Sequence, residues 1–215
     1  MASLTNSRVI SVYNSRATML KLLEAQGFVV DESYSNFSVN EVDSMLKTMQ
    51  LDMLLTTAAG DRKVYVKYNC DFTKSAKAIS PVYLDVLIED VFFISKLISK
   101  SDTLVIVTEK EPSQSLMSKL CYLYDHDGIF VVAHNIARLQ VNILKHVDVP
   151  AMTVLSPAEA VEFRREFNVS GNSQLPEISR FDAQALAMGV RPGQICKFIR
   201  KSVTAMDSIY YRACV

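Results

Sequence analysis

The sequence predicts a mixed-sheet α/β domain followed by a smaller α+β module, and three observations carry that reading. Short β-rich runs alternate with helical periodicity over the first 140 residues. The run Thr-Leu-Val-Ile-Val-Thr at 103–108 has no polar face, as a strand covered on both sides requires. Between residues 140 and 150 the alternation stops, and the remaining residues carry their own start and stop signals. The boundary is therefore placed between domains 1–140 and 141–215.

Each element has a local cause. Val9, Val12, Tyr13, Leu20 and Leu23 recur at helical spacing over residues 8–26, and Gly27 supplies the left-handed stop. Ser38 with Glu41 forms a capping box, and Val42, Met45, Leu46 and Met49 give the buried stripe of a second helix ending near Gln50. Residues 51–57 and 63–68 read as a hairpin turned at Ala59-Gly60-Asp61. A polar stretch with Lys74 and Lys77 leads to Ser80-Pro81, a cap followed by proline at the first helical position, and a helix over 82–100. After strand 103–108 come a loop, a helix over 116–124, a turn at Asp127-Gly128 and a strand over 129–133. Strand, helix, strand is a crossover, so these two strands should run parallel.

In the second domain Ser156-Pro157-Ala158-Glu159 combines a capping box with an N-terminal proline, predicting a helix to about Phe167 that Asn168 or Gly171 ends. Asp182 caps a further short helix closed by Gly189. Arg191-Pro192-Gly193 turns into strands at 194–200 and 208–214.

Composition narrows the function classes. With 215 residues and 49% hydrophobic content the chain can build a core in each domain. Its 23 basic and 23 acidic residues cancel, so any nucleic-acid contact has to be a local patch. The polar start after Met1 and the lack of a long apolar run predict a soluble, intracellular chain with no membrane partner. Cys70, Cys121, Cys196 and Cys214 never form C-x-x-C and read as buried thiols in a reducing compartment. His126, His134 and His146 lack metal-ligand spacing, and no phosphate-binding glycine loop or nucleophile elbow is present. No cofactor, metal or small-molecule substrate is expected.

From Gln174 onward the order Leu175-Pro176-Glu177-Ile178, Asp182, Gly189, Gly193-Gln194, Arg200, Ser202, Thr204, Tyr211-Arg212 resembles the assembly domain of the fifth shared subunit of eukaryotic-type DNA-directed RNA polymerases, which is similar to a small subunit of the archaeal enzyme. Val149-Pro150 and the helix from Ser156 extend the likeness over the second domain. In the first domain it rests on Gln26-Gly27-Phe28, the strand from Leu51, and Leu104 to Val107 followed by Pro112-Ser113. The resemblance implies an endonuclease-like jaw domain beside downstream DNA and a second domain docked on the largest subunit and neighbouring small subunits. It implies a nuclear location for a cellular chain, or host cytoplasm and virion for one encoded by a large DNA virus. Two departures are Asp182-Ala183 for the family's Asp-Pro, and Met206 for a glycine in the last turn. Since methionine resists φ > 0, Asp207 is the candidate for the left-handed residue there.

Under that resemblance Lys110, Ser113, Ser115 and Lys119, around the start of a helix, are the residues to meet DNA phosphates without sequence preference. An ordinary capped turn is the alternative, and Glu109 and Glu111 weaken an anion site. Pro176, Gln194, Arg200, Ser202, Thr204, Tyr211 and Arg212 are the residues expected at the subunit interface, with one face of Phe198, Ile199, Ile209, Tyr210 and Tyr211 left for it. A free-standing DNA-binding or nuclease-like protein is the rival. Asp52 and Lys67 stand where a nuclease would have its outer catalytic residues, but Tyr65 replaces the acid between them, so no residue is expected to do chemistry.

Overall fold

In the computed structural model, which describes residues 2–69, 79–202 and 204–215, Cys70, Lys74 and Lys77 lie outside the described residues. The chain divides into two units, Met1–Val141 and Asn142–Val215, each with its own four-stranded sheet. No described helix is long and apolar enough to cross a membrane.

Helix α1 (Ala2–Ala25) begins ahead of the expected start and ends before Gly27, whose φ is +91°. It buries Val12, Met19, Leu22 and Leu23, and with them Arg16. Arg16 is tolerated there because Nη1 donates to the Leu51 carbonyl at 2.8 Å and the guanidinium lies 5.1 Å from the Phe37 ring centroid. A short helix α2 (Glu32–Ser35), capped by Asp31, is not among the expected elements. Helix α3 (Val39–Lys47) has the full capping box of Ser38 and Glu41 and buries Val42 and Leu46. Met49 falls beyond its end at φ +55° and is exposed, so it is not part of the buried stripe.

Strands β1 (Met53–Thr56) and β2 (Lys63–Asn69) form the hairpin, in register from Met53↔Val66 to Thr56↔Lys63. Helix α4 (Pro81–Ile88) is capped by Ser80. It continues only as a π-type turn, Glu89–Ile94, and so stops short of residue 100. Lys96 takes φ +49°, the Leu97 N–H reaches back to the Val91 carbonyl, and the Ser95 hydroxyl donates to the Asp90 carbonyl, which closes the helix from within.

Strand β3 (Thr103–Thr108) is buried from Leu104 onward and pairs in parallel with β2 on one side and β4 (Phe130–Asn135) on the other. The crossover from β3 to β4 carries α5 (Gln114–Tyr122) and a π-type turn ended by Gly128 at φ +70°. The order is β1-β2-β3-β4.

In the second unit β5 (Ala151–Val154) and the two-residue β6 (Glu177–Ile178) go beyond the expected elements. Helix α6 (Pro157–Glu166) has the Ser156–Glu159 capping box and ends before Asn168 at φ +54°. Helix α7 (Ala183–Met188) runs from the Asp182 cap to left-handed Gly189, so the cap survives without the family's proline. Strands β7 (Ile195–Ser202) and β8 (Met206–Cys214) pair antiparallel, in a sheet ordered β5-β7-β8-β6. One face packs Met152, Ile178, Cys196, Phe198 and Cys214 against Ala185 of α7. On the other face α6 approaches β8, with the Phe163 and Tyr211 rings 4.3 Å apart. The residue with positive φ at the hairpin end is Met206 itself, at +55°, and not Asp207. Its side chain is 85% exposed, so no packing opposes the left-handed backbone.

Cys196 and Cys214 are buried free thiols, as expected, whereas Cys121 is only half-buried. His134 on β4 is fully buried, and that burial, with the positive Arg138 adding to it, pushes its imidazole down to about 4. An unfolded histidine binds its proton near pH 6.5, so between these values the unfolded chain takes up a proton that the folded one refuses. The sign is therefore fixed: this stability is complete above about pH 6.5 and is lost as pH falls toward 4. Urea unfolding of the wild type should lose about 2 kcal/mol between pH 7 and pH 5 through this group, and His134→Gln should lack that share of the slope.

Candidate nucleic-acid and subunit interfaces

The loop between β3 and α5 emerges from the carboxyl end of the buried strand, where the Thr108 carbonyl still accepts from the Ile136 N–H at 2.8 Å. Thr108 Oγ1 folds it back by donating to the Lys110 carbonyl at 2.6 Å. Ser113 is the N-cap of α5: its Oγ accepts from the Leu116 N–H at 3.3 Å and lies 2.9 Å from Ser115 Oγ. Lys110 and Ser113 in the loop and Ser115 in the first turn of α5 are exposed. The first N–H groups of α5, which no turn of the helix can satisfy, open beside them.

Lys119 is placed differently. Its Nζ pairs with Asp85 Oδ1 at 2.9 Å and lies 5.6 Å from the Tyr122 ring centroid, so its charge is already matched within the unit. Glu111, which weakened the anion reading, is drawn off by Arg138 Nε at 2.9 Å. Neither pair shows in the sequence, because each joins segments that only the crossover brings together. A cavity of about 410 Å³ at the opposite end of β2 and β3 carries Lys63 and Lys96 but also Asp61 and Asp102, a balance that favours no anion.

Asp52, Tyr65 and Lys67 do converge. Asp52 Oδ2 accepts from the Tyr65 hydroxyl at 2.9 Å and from Lys67 Nζ at 2.5 Å, while Oδ1 accepts from the Tyr68 N–H at 3.2 Å. Burial first, and then the Asp52 charge, drives the Tyr65 hydroxyl far up, so it remains a proton donor. A carboxylate held by an ammonium, a phenol and a backbone donor has little left to offer a cation.

In the second unit the seven interface candidates are dispersed, and Tyr211 among them packs on Phe163 of α6. Pro176 and Gln194 sit at the end of the sheet near the carboxyl terminus and do structural work there. The Pro176 carbonyl accepts from Ala213 N–H, and Gln194 accepts from Arg191 N–H through Oε1 and from Cys214 N–H through its carbonyl. Arg200, Ser202 and Thr204 lie at the far end of the hairpin, with Ser202 Oγ and Thr204 Oγ1 3.3 Å apart. Arg212 bridges inward, its Nη1 donating to the Glu177 carbonyl at 3.0 Å.

Tyr210, named in the sequence only as one of the alternating strand residues, organises the charged face. It stacks on Phe198 with centroids 5.0 Å apart, and the Arg200 and Arg212 guanidinium groups lie 5.6 and 5.8 Å from its ring centroid. Strand alternation places Arg200, Phe198, Tyr210 and Arg212 on one face, and was the available signal. Ile199 and Ile209, directly opposite each other, are exposed on the other face.

Comparison with known proteins fits this geometry. Residues 141–214 match the family described as RNA polymerase Rpb5, C-terminal domain. DNA-directed RNA polymerase subunit Rpo5 of Archaeoglobus fulgidus is 43% identical over 70 residues, 33% of this chain and 91% of that protein. The corresponding subunit of Thermococcus kodakarensis is 38% identical over 79 residues, 37% of this chain and 95% of its own length. The chain named DNA-directed RNA polymerases I, II, and III subunit RPABC1 in Caenorhabditis elegans is 28% identical over 214 residues, 95% of both.

The cap and the exposed lysine should behave differently in the isolated chain. Ser113→Ala should cost about 1 kcal/mol through the lost cap. Lys110→Ala should stay within about 0.5 kcal/mol. Urea denaturation of the two variants checks both.

Proposed function

The chain belongs to the Rpb5/Rpo5 family of DNA-directed RNA polymerase subunits, and on that premise we propose that it is a non-catalytic structural subunit whose two units have separate tasks. Residues 142–215 dock on the largest subunit and its small neighbours. The first unit serves as an endonuclease-like jaw that helps hold downstream duplex DNA, without chemistry of its own. The observation that carries the division is that the second unit has its own sheet and core and corresponds to nearly the whole of the archaeal subunits. A module that is a complete protein elsewhere is the part able to assemble by itself.

The state of Asp52 supports the non-catalytic reading, since its oxygens are taken by Tyr65, Lys67 and the Tyr68 backbone. At the jaw, Lys110 with Ser113 and Ser115 and the first N–H groups of α5 are the groups for DNA phosphates, read without sequence preference. Lys119, already paired with Asp85, contributes to that field at a discount. At the assembly surface, Arg200, Tyr211 and Arg212 supply the residue types that interfaces favour, with Ser202 and Thr204 beside them. Such a subunit works where its polymerase transcribes, in the nucleus of a cell or in the cytoplasmic factory and virion of a large DNA virus.

Residues 142–215 expressed alone should bind the largest subunit in co-purification, and residues 1–141 alone should not; the reverse result would reassign the docking unit. In the assembled enzyme, Lys110→Ala should reduce the slope of log affinity for downstream duplex against log salt by about 0.9, one phosphate contact. An unchanged slope would remove Lys110 from the DNA path.

A further inference from the structure

The hydrogen-bond pattern of β8 shows which of its backbone groups face β7 and which face outward. Cys214 N–H donates to Gln194 in the β7 direction, whereas the N–H groups of Ala213 and Val215 donate to Pro176 and Ile178 on the β6 side. Alternation along the strand then turns the N–H and C=O of Ile209 and Tyr211 outward as well. Strand β6 reaches only Ala213 and Cys214. Its ladder stops there for a chemical reason: the next donor, opposite the Tyr211 carbonyl, would be residue 176, a proline without an N–H.

Beyond that point no described strand lies along β8, although β8 pairs with β7 all the way to Ser202↔Met206. The uncovered edge has no proline or lysine, carries charge only toward its ends at Asp207 and Arg212, and has Ile209 at its middle with 54% exposure. The outer edge of β5, by contrast, is four residues long.

Resting on the subunit reading above, we propose that the outward edge of β8 at Ile209 and Tyr211, beyond Asp207 whose N–H already donates to the Ala205 carbonyl, is completed in the polymerase by an extended strand of a neighbouring subunit. The side chains along the edge specify its character. One face presents Tyr210 and Arg212, with Arg200 of β7 behind them, and the other presents Ile209 and Tyr211, with Asp207 at the hairpin end. The added strand therefore alternates acidic and apolar residues, its backbone supplying affinity and its side chains the register.

Amide hydrogen exchange on the wild-type chain, free and in the purified polymerase, tests the proposal. The Ile209 and Tyr211 amides should exchange at least about tenfold more slowly in the assembly, while the inward amides of Ser208 and Tyr210 are protected in both. Ile209→Pro removes one outward donor and leaves the pairing with β7 intact, so it should lower incorporation about tenfold; Ile209→Thr, which keeps the donor, should incorporate nearly as wild type. Equal exchange in the free and assembled states would overturn the proposal, as would wild-type incorporation of Ile209→Pro. So would a dimer of the free chain with a protected Ile209 amide, which assigns the edge to a second copy. A wild-type chain that never enters a polymerase would instead defeat the subunit reading, and this is read before any variant is compared.

Discussion

Parallel pairing of β3 on both sides is the constraint on which the first unit depends. A strand paired in parallel to both neighbours cannot be reached by tight turns, so the chain must leave and return over the sheet, and it does so through α4 and α5. Both of these helices are placed by that requirement. Asp102 holds the entry to β3: its Oδ1 accepts from the Lys63 N–H at 2.7 Å, and its Oδ2 accepts from the Ser99 N–H and hydroxyl, each at 2.7 Å. Burial works against that carboxylate, but the donors from Ser99 and Lys63 outweigh it and leave its pKa lowered. The exit of β3 is what presents Lys110, Ser113 and the first turn of α5, so an apolar run sets the position of these polar groups.

The same sheet shows three polar side chains held together as structure. Asp52 lies beside β1, and Tyr65 and Lys67 project from β2, so the hairpin register brings them together. With a tyrosine between the two, the charge that a metal would have balanced is balanced by the lysine ammonium. The cluster then ties the start of β1 to β2 at a point where the hairpin turn is far away.

Local signals were legible in the sequence, and distant ones were not. The caps at Ser38, Ser80, Ser156 and Asp182 each depend on a few neighbouring residues and stand where they were expected, whereas α5 starts at Gln114, two residues ahead of the expected 116, with Ser113 as its cap. The early end of α4 was hidden because its π-type turn is closed by Ser95 and Leu97 bonds that helical periodicity does not encode. Strands β5 and β6 are too short for a periodic signal and exist only because β7 and β8 offer them edges. Among the site residues, chemistry was readable and pairing was not. Lys119 looked available until α4 placed Asp85 beside it, and Tyr210 gained its role only when β7 and β8 were brought into register.

The two thiols in the core of the second unit bear on how the protein withstands its surroundings. Burial pushes Cys196 up to about 12 and Cys214 to about 11, so at neutral pH almost no thiolate exists at either sulfur. Peroxides, glutathione disulfide and alkylating agents all need that anion. These two thiols are thereby unreactive while the module is folded and become reactive only where it has opened, so labelling at Cys196 and Cys214, read separately from the half-buried Cys121, reports opening of this module.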